Sequence, residues 1–165
     1  FGVAPDIVCS AKGIASGMPL GVTFSRAGIM DWAPGAHAST FGGNPVCLAA
    51  AEATLQLLQS SLVRNAAEVG GYLLDRLKSW PARHAAVGEV RGLGLMVGIE
   101  IVSDQRARTA DPARRDRIVT AAFERGLLVL GCGPSALRLM PPLIVNREQV
   151  DAALELLEQA LAAAA

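Results

Sequence analysis

Hydrophobic and polar positions change rhythm near residue 60. Before it, "DIVCSA" (6–11) is short, apolar and partly β-branched after Pro5, which predicts a buried strand that delivers Lys12 at its end. The small residues of "GIASGMPLG" then form a loop, and "GVTFS" from Gly21 reads as a second strand. Residues 31–43, "DWAPGAHASTFGG", have neither alternation nor helical spacing and read as an ordered loop, the kind of segment that often carries function. Asn44 and Pro45 fit the N-cap and first position of a helix. That helix, "VCLAAAEATLQLLQ", is apolar on most sides and is expected to lie deep in a core.

From Ser60 onward charge enters the helical spacing. Leu62, Val69, Leu73 and Leu77 mark one face of an amphipathic helix that ends at Trp80 and Pro81. "GEVRGLG" and "LMVGIEIV" read as two strands around a glycine turn, "DPARRDRIVTAAFERG" as a helix closed by Gly126, and "LLVLG" and "ALRLMPP" as two more strands. The final helix has Asn146 at its N-cap, Gln149 three residues on, and Val150, Ala153, Leu154, Leu157 and Leu161 along one face. Residues from about 60 onward are therefore expected to form an α+β unit with its own sheet.

Composition narrows the function classes. The 165 residues are 52% hydrophobic, with a mean hydropathy of +0.37, as expected of a globular chain with a sizeable core. Fifteen basic and fifteen acidic residues cancel, and no stretch interleaves Lys or Arg with aromatics, so a nucleic-acid surface is not expected. Cys9, Cys47 and Cys132 stand far apart with only two histidines, which argues against a disulfide framework or zinc site and for a reducing cytoplasm. No apolar run is expected to approach the roughly 20 residues of a membrane helix, and the chain, entering at Phe1 in "FGVAPDIV", reads as a fragment.

Several residues could carry chemistry. Lys12 is one of only two lysines, the other being Lys78. It could be a strand-end lysine reaching for water, or an amine whose pKa is lowered by burial so that it attacks a carbonyl. Gly13, Ala15, Ser16 and Gly17 leave room beside it for a flat group. In "HASTFGGNP" (37–45), Ser39 and Thr40 offer hydroxyls, and the helix start at Asn44 could help cradle a phosphate or carboxylate; an ordinary turn before a capped helix explains the same residues. "RGLGLMVG" has the glycine spacing of a dinucleotide loop, but a strand rather than a helix follows it, so a turn between strands is expected. Arg138 alternates with leucines in "LRLMPPL" and could face solvent, form a buried ion pair or clamp a carboxylate. His37 and His84 have no spacing partner and read as structural.

"PDIVCSAKGIASGMPLG", "HASTFGGNPVCLAAAEA", "RGLGLMVGIE" and "LRLMPPLIV", in this order, resemble the C-terminal part of class III pyridoxal-phosphate aminotransferases, a family that includes ornithine, acetylornithine and 4-aminobutyrate aminotransferases. The resemblance implies an α/β chain of the PLP-dependent transferase fold type I, with residues 1–60 ending the large cofactor-binding domain and 61–165 forming the small C-terminal α+β domain. It makes Lys12 the residue that holds pyridoxal 5′-phosphate as an internal aldimine and the catalytic proton shuttle. It makes Thr40, with Ser39 beside it, a contact to the cofactor phosphate of the neighbouring subunit in a homodimer or larger assembly. Arg138 matches an arginine near the substrate pocket, and Arg91 falls in a segment that reads as structural. The family's acidic partner for the pyridine nitrogen, its Gly-Ser/Thr phosphate loop and its ring-stacking aromatic would lie upstream of this chain, so the 165 residues alone are expected to be inactive. The implied reaction is ping-pong transfer of an amino group from a 4-aminobutyrate-like ω-amino acid to 2-oxoglutarate. Acetylornithine or ornithine transamination, amino-acid racemisation by the same lysine chemistry, and a non-catalytic dimerisation or binding module are the alternatives.

Overall fold

The computed structural model describes residues 2–164; the expected entry at Phe1 and the last residue, Ala165, lie outside the described residues. The chain divides into two compact units, Phe1–Ser61 and Leu62–Ala165.

In the first unit, β1 (Ile7–Ser10) and β2 (Val22–Ser25) pair antiparallel from Ile7 opposite Ser25 to Ser10 opposite Val22. A 3-10 turn, Lys12–Ala15, follows β1, and α1 (Pro45–Leu57) packs against that turn. Two expectations fail here. β1 is exposed rather than buried, because a two-stranded ribbon has no second layer over it among the described residues. α1 buries only Cys47 and Ala51, while Val46, Leu48, Leu55 and Leu57 are exposed; among the described elements the turn is its main packing partner. Apolar exposure on this scale marks a surface made for a partner layer.

α1 runs through a π turn (Leu58–Leu62) into α2 (Val63–Leu77) and then α3 (Trp80–Arg83). Helical structure therefore extends over Pro45–Arg83, and an 18-residue window within it has a mean hydropathy of 1.4, long and apolar enough by length and composition to cross a membrane. The expectation that no run comes near that length is corrected: it broke the segment at Ser60, where the helix in fact continues. One such helix is weak evidence for a membrane.

The second unit is a five-stranded antiparallel sheet with helices on one face. β3 (Val87–Leu93), β4 (Met96–Asp104), β7 (Ala136–Leu139) and β6 (Leu130–Cys132) lie in the order β3-β4-β7-β6, and β5 (Thr109–Ala110), too short for any period to reveal, adds to β4. The period of two in β4 sorts its side chains. Val97, Ile99 and Ile101 enter the core, and Met96, Gly98 and Glu100 take the other face. Val69, Leu73 and Leu77 of α2, Ile118 and Ala122 of α4 (Pro112–Glu124), and Val150, Leu154, Leu157 and Leu161 of α5 (Arg147–Ala163) complete that core.

Helix ends follow the expected signals. Asn146 and Gln149 form the expected reciprocal capping box; Asp111, a cap not read from the sequence, accepts from the Arg114 amide at 2.9 Å. Gly126, at φ +83°, closes α4: its amide reaches the Phe123 carbonyl and that of Leu127 the Ala122 carbonyl, both at 2.9 Å. Because the Leu127 amide is spent on this closure, the strand expected over 127–131 begins only at Leu130. The glycine-rich segment is the β3–β4 turn, as its strand context predicted.

Candidate active site

Lys12 follows β1 at φ +56° and Ser16 sits at φ +45°, two of the three non-glycine residues with positive φ among those described. Side chains rarely adopt this backbone, and where they do the surroundings hold them there, often at functional sites. Here the hold comes from α1. The Thr54 hydroxyl donates to the Ala50 carbonyl at 2.8 Å, so its oxygen accepts from the Ser16 hydroxyl at 3.0 Å. Ala15 is fully buried beside it. The turn therefore presents Lys12 outward, and Cβ atoms at Gly13 or Gly17 would meet nothing within 4 Å. Lys12 itself is exposed, so the burial expected for it is not supplied by the described residues.

Ser39 and Thr40 lie in the loop before α1, both exposed. The loop folds as successive turns, with the Gly42 amide on the Ser39 carbonyl at 3.2 Å and the Asn44 amide on the Phe41 carbonyl at 3.4 Å. The helix start offers less to an anion than expected. Asn44 Oδ1 accepts from the amides of Val46 at 2.9 Å and Cys47 at 3.3 Å, Leu48 donates to the Asn44 carbonyl, and Pro45 has no N–H. Anion binding at this loop would fall to the Ser39 and Thr40 hydroxyls and the amides before Asn44. A concavity of about 440 Å³ is lined by Trp32, His37, Ser39, Phe41 and Gly42, among others, but not by Lys12 or Thr40.

The second unit carries Arg138 on the sheet face away from the helices. Arg138 and Arg91 both stand directly opposite Gly98, one on each side. A Cβ at Gly98 would meet nothing closer than the Arg91 carbonyl oxygen at 3.9 Å and Cγ at 4.0 Å, so the floor between the two arginines is bare. Glu100, two residues on and on the same face, is diagonal to both. Its carboxylate accepts from Arg91 Nη2 at 3.0 Å and from the Ser135 hydroxyl at 2.8 Å. Ser135 is 0% exposed, and its carbonyl accepts from the Ile101 amide at 2.9 Å, which fixes the hydroxyl beneath Glu100. The Ser135 hydrogen bond, reinforced by Arg91, holds the Glu100 carboxyl below the usual carboxylate range against an opposing effect of desolvation. Arg138 is half-buried, and its Nε is buried with no hydrogen-bond partner among the described residues. The buried ion pair considered for it is not formed among the described residues.

Sequence reasoning singled out Arg138, saw in Glu89 and Glu100 no helical carboxylate pair, and did not consider Ser135. The alternation of β4 places Glu100 opposite the core residues, yet only strand register brings it between two arginines. His84 is structural: it pairs with Glu158 at 2.9 Å and lies edge-on to Trp80 at 5.2 Å between ring centroids.

The model of the family "Aminotransferase class-III" matches residues 1–161. An alanine/serine racemase of Pyrococcus horikoshii is 41% identical, over 98% of this chain and 34% of its own length. An acetylornithine aminotransferase of Nostoc sp. is 40% identical (98% and 37%), and a 4-aminobutyrate aminotransferase of Escherichia coli 39% identical (96% and 38%). Among solved structures, an amine transaminase from an uncultivated Pseudomonas species in the PLP-bound (internal aldimine) form superposes with a TM-score of 0.91 at 40% identity, over 99% of this chain and 40% of that one. The chain thus spans little more than a third of the length of these relatives.

Proposed function

The chain belongs to the class III aminotransferases, a family of pyridoxal-phosphate enzymes, and on that premise we propose that the protein carrying it transfers an amino group from a 4-aminobutyrate-like ω-amino acid to 2-oxoglutarate. The observation that carries this is Lys12: an outward amine with positive φ at the start of a braced 3-10 turn, inside a family match that spans the chain.

The residues present fit pyridoxal phosphate in what they offer. Lys12 supplies the primary amine that would hold the aldehyde, and the open space at Gly13 and Gly17 leaves room for a flat ring. Ser39 and Thr40 supply hydroxyls for a phosphate, Thr40 in the reading that it serves a second subunit of a homodimer. When bound, the group supplies an electron sink for the carbon that bears the amino group. Lys12 Nζ takes the proton from that carbon and returns it, which requires a neutral amine at that step. Arg138 takes a substrate carboxylate through its guanidinium, which has no competing ion pair among the described residues. The first unit is assigned to the end of the large domain and the second to the small domain, and the protein to the cytoplasm, where its three free cysteines would stay reduced.

The test is the full-length protein with 4-aminobutyrate and 2-oxoglutarate. Glutamate should form with parallel double-reciprocal lines, and Lys12→Ala should abolish turnover; substantial activity in that variant would overturn the assignment. The 41% identity to a racemase supports a second reading in the same family. Inversion at an α-carbon with no amino transfer to any keto acid would select it.

A further inference from the structure

A carboxylate placed diagonally between two arginines can pair with either one. Glu100 lies between Arg91 and Arg138 across the bare floor at Gly98, and it is committed to Arg91. What commits it is visible: one carboxylate oxygen is taken by Arg91 and the other by the Ser135 hydroxyl, itself anchored through the backbone of β4. Arg91 is held in turn by Glu89, at 4.0 Å, and Glu89 also takes Arg108 at 3.6 Å. The charges on this face are therefore paired up to the β4–β7 boundary, and Arg138 is left over, its buried Nε without a partner among the described residues. A buried donor left without a partner costs free energy, so a carboxylate close by is drawn to it unless held elsewhere.

We infer that Ser135 and Arg91 are positioning residues that hold Glu100 off Arg138, keeping the Arg138 guanidinium free to receive a substrate carboxylate. The inference rests on the carboxylate role proposed above for Arg138. Without the Ser135 hydroxyl, one Glu100 oxygen has no donor, and Arg138, diagonal to it across Gly98, offers an unspent one. A substrate carboxylate then has to displace an internal one before it binds.

The experiment uses the full-length holoenzyme and reads kcat and KM for 2-oxoglutarate separately. Arg138→Ala should raise KM; if it does not, the carboxylate role of Arg138 is wrong and the inference falls with it. Given that rise, Ser135→Ala should raise KM roughly tenfold, the effect of one charge-assisted hydrogen bond, with kcat little changed. The deciding variant is Ser135→Ala combined with Glu100→Gln. Removing the competing charge should return KM to near the parent value, whereas a packing defect at Ser135 would persist. Arg91→Met, at an exposed position, frees the other Glu100 oxygen and covers the case in which Ser135→Ala fails to fold. It should raise KM in the same direction and be rescued by the same Glu100→Gln change. A raised KM that Glu100→Gln does not rescue, or an unchanged KM in both Ser135→Ala and Arg91→Met, overturns the inference.

Discussion

Glu89 and Glu100 stand directly opposite each other across β3 and β4, an arrangement of like charges that destabilises a sheet when nothing intervenes. Arg91, Arg108 and the Ser135 hydroxyl intervene, and the Ser135 hydrogen bond, with Arg91, holds the Glu100 carboxyl below its ordinary range, so the fold favours its charged form. The sign of the pH effect follows. A carboxyl whose folded pKa lies below its unfolded value contributes stability that is fully present above that unfolded value, about 4.3, and is lost as pH falls through the folded pKa. Glu100→Gln removes the titration but keeps the shape. Urea unfolding at pH 7, 5, 4 and 3 should therefore show the parent more stable than the variant at neutral pH, with the gap closing below about pH 4.3. A gap that stays constant across the series would mean that the hydrogen bonds to Glu100 do not depend on its charge.

At the scale of elements, the contact between α2 and the β3–β4 turn is the one most sensitive to a single methyl. A Cβ at Gly70 would fall 2.2 Å from the Gly94 backbone, and Gly94 holds φ +56° to make the turn, so helix and hairpin meet backbone to backbone. Gly71, next along the helix, has open space where its Cβ would be. The pair is its own control. Gly70→Ala should destabilise by about 2 kcal/mol or more through overpacking, while Gly71→Ala should stabilise by about 0.5–1 kcal/mol through helix propensity. Equal effects, read from unfolding midpoints, would deny the close approach. This contact also shows what sequence could and could not convey. The caps at Asn44 and Asn146, the Gly126 closure and the β3–β4 turn were legible because each depends on a few neighbouring residues. The Gly70–Gly94 approach, the late start of β6 and the Arg91–Glu100–Ser135 network were not, because each depends on register or on an amide already committed elsewhere. Lys12 and Arg138 stood out by residue type; that Lys12 takes a positive φ at the start of a turn braced by Thr54 is a property of the fold alone.

At the scale of the whole chain, the two units differ in how much of their apolar surface they bury. The second has a continuous core in which Leu77, Val87, Ile99, Ile101, Ile118 and Leu137 are fully buried. Among its described residues the first buries only Ala15, Cys47 and Ala51 of its apolar side chains, and leaves Phe24, Trp32, Phe41 and Val46 more than half exposed. The sequence nevertheless gave α1 an apolar composition suited to burial on most sides, and the chain spans little more than a third of its relatives' length. These facts agree if the first unit takes its stability from the remainder of the longer protein, while the second has enough core to fold by itself. Amide hydrogen exchange on the 165-residue chain made alone should then show α5 and β4 exchanging slowly, as core elements that open only with the whole unit, and β1, β2 and α1 exchanging orders of magnitude faster. In the full-length protein β1, β2 and α1 should become protected as well, because the apolar faces they expose would be covered. Equal protection of both units in the isolated chain would show that the first unit needs no such cover, and the exposed faces of α1 would then call for another explanation.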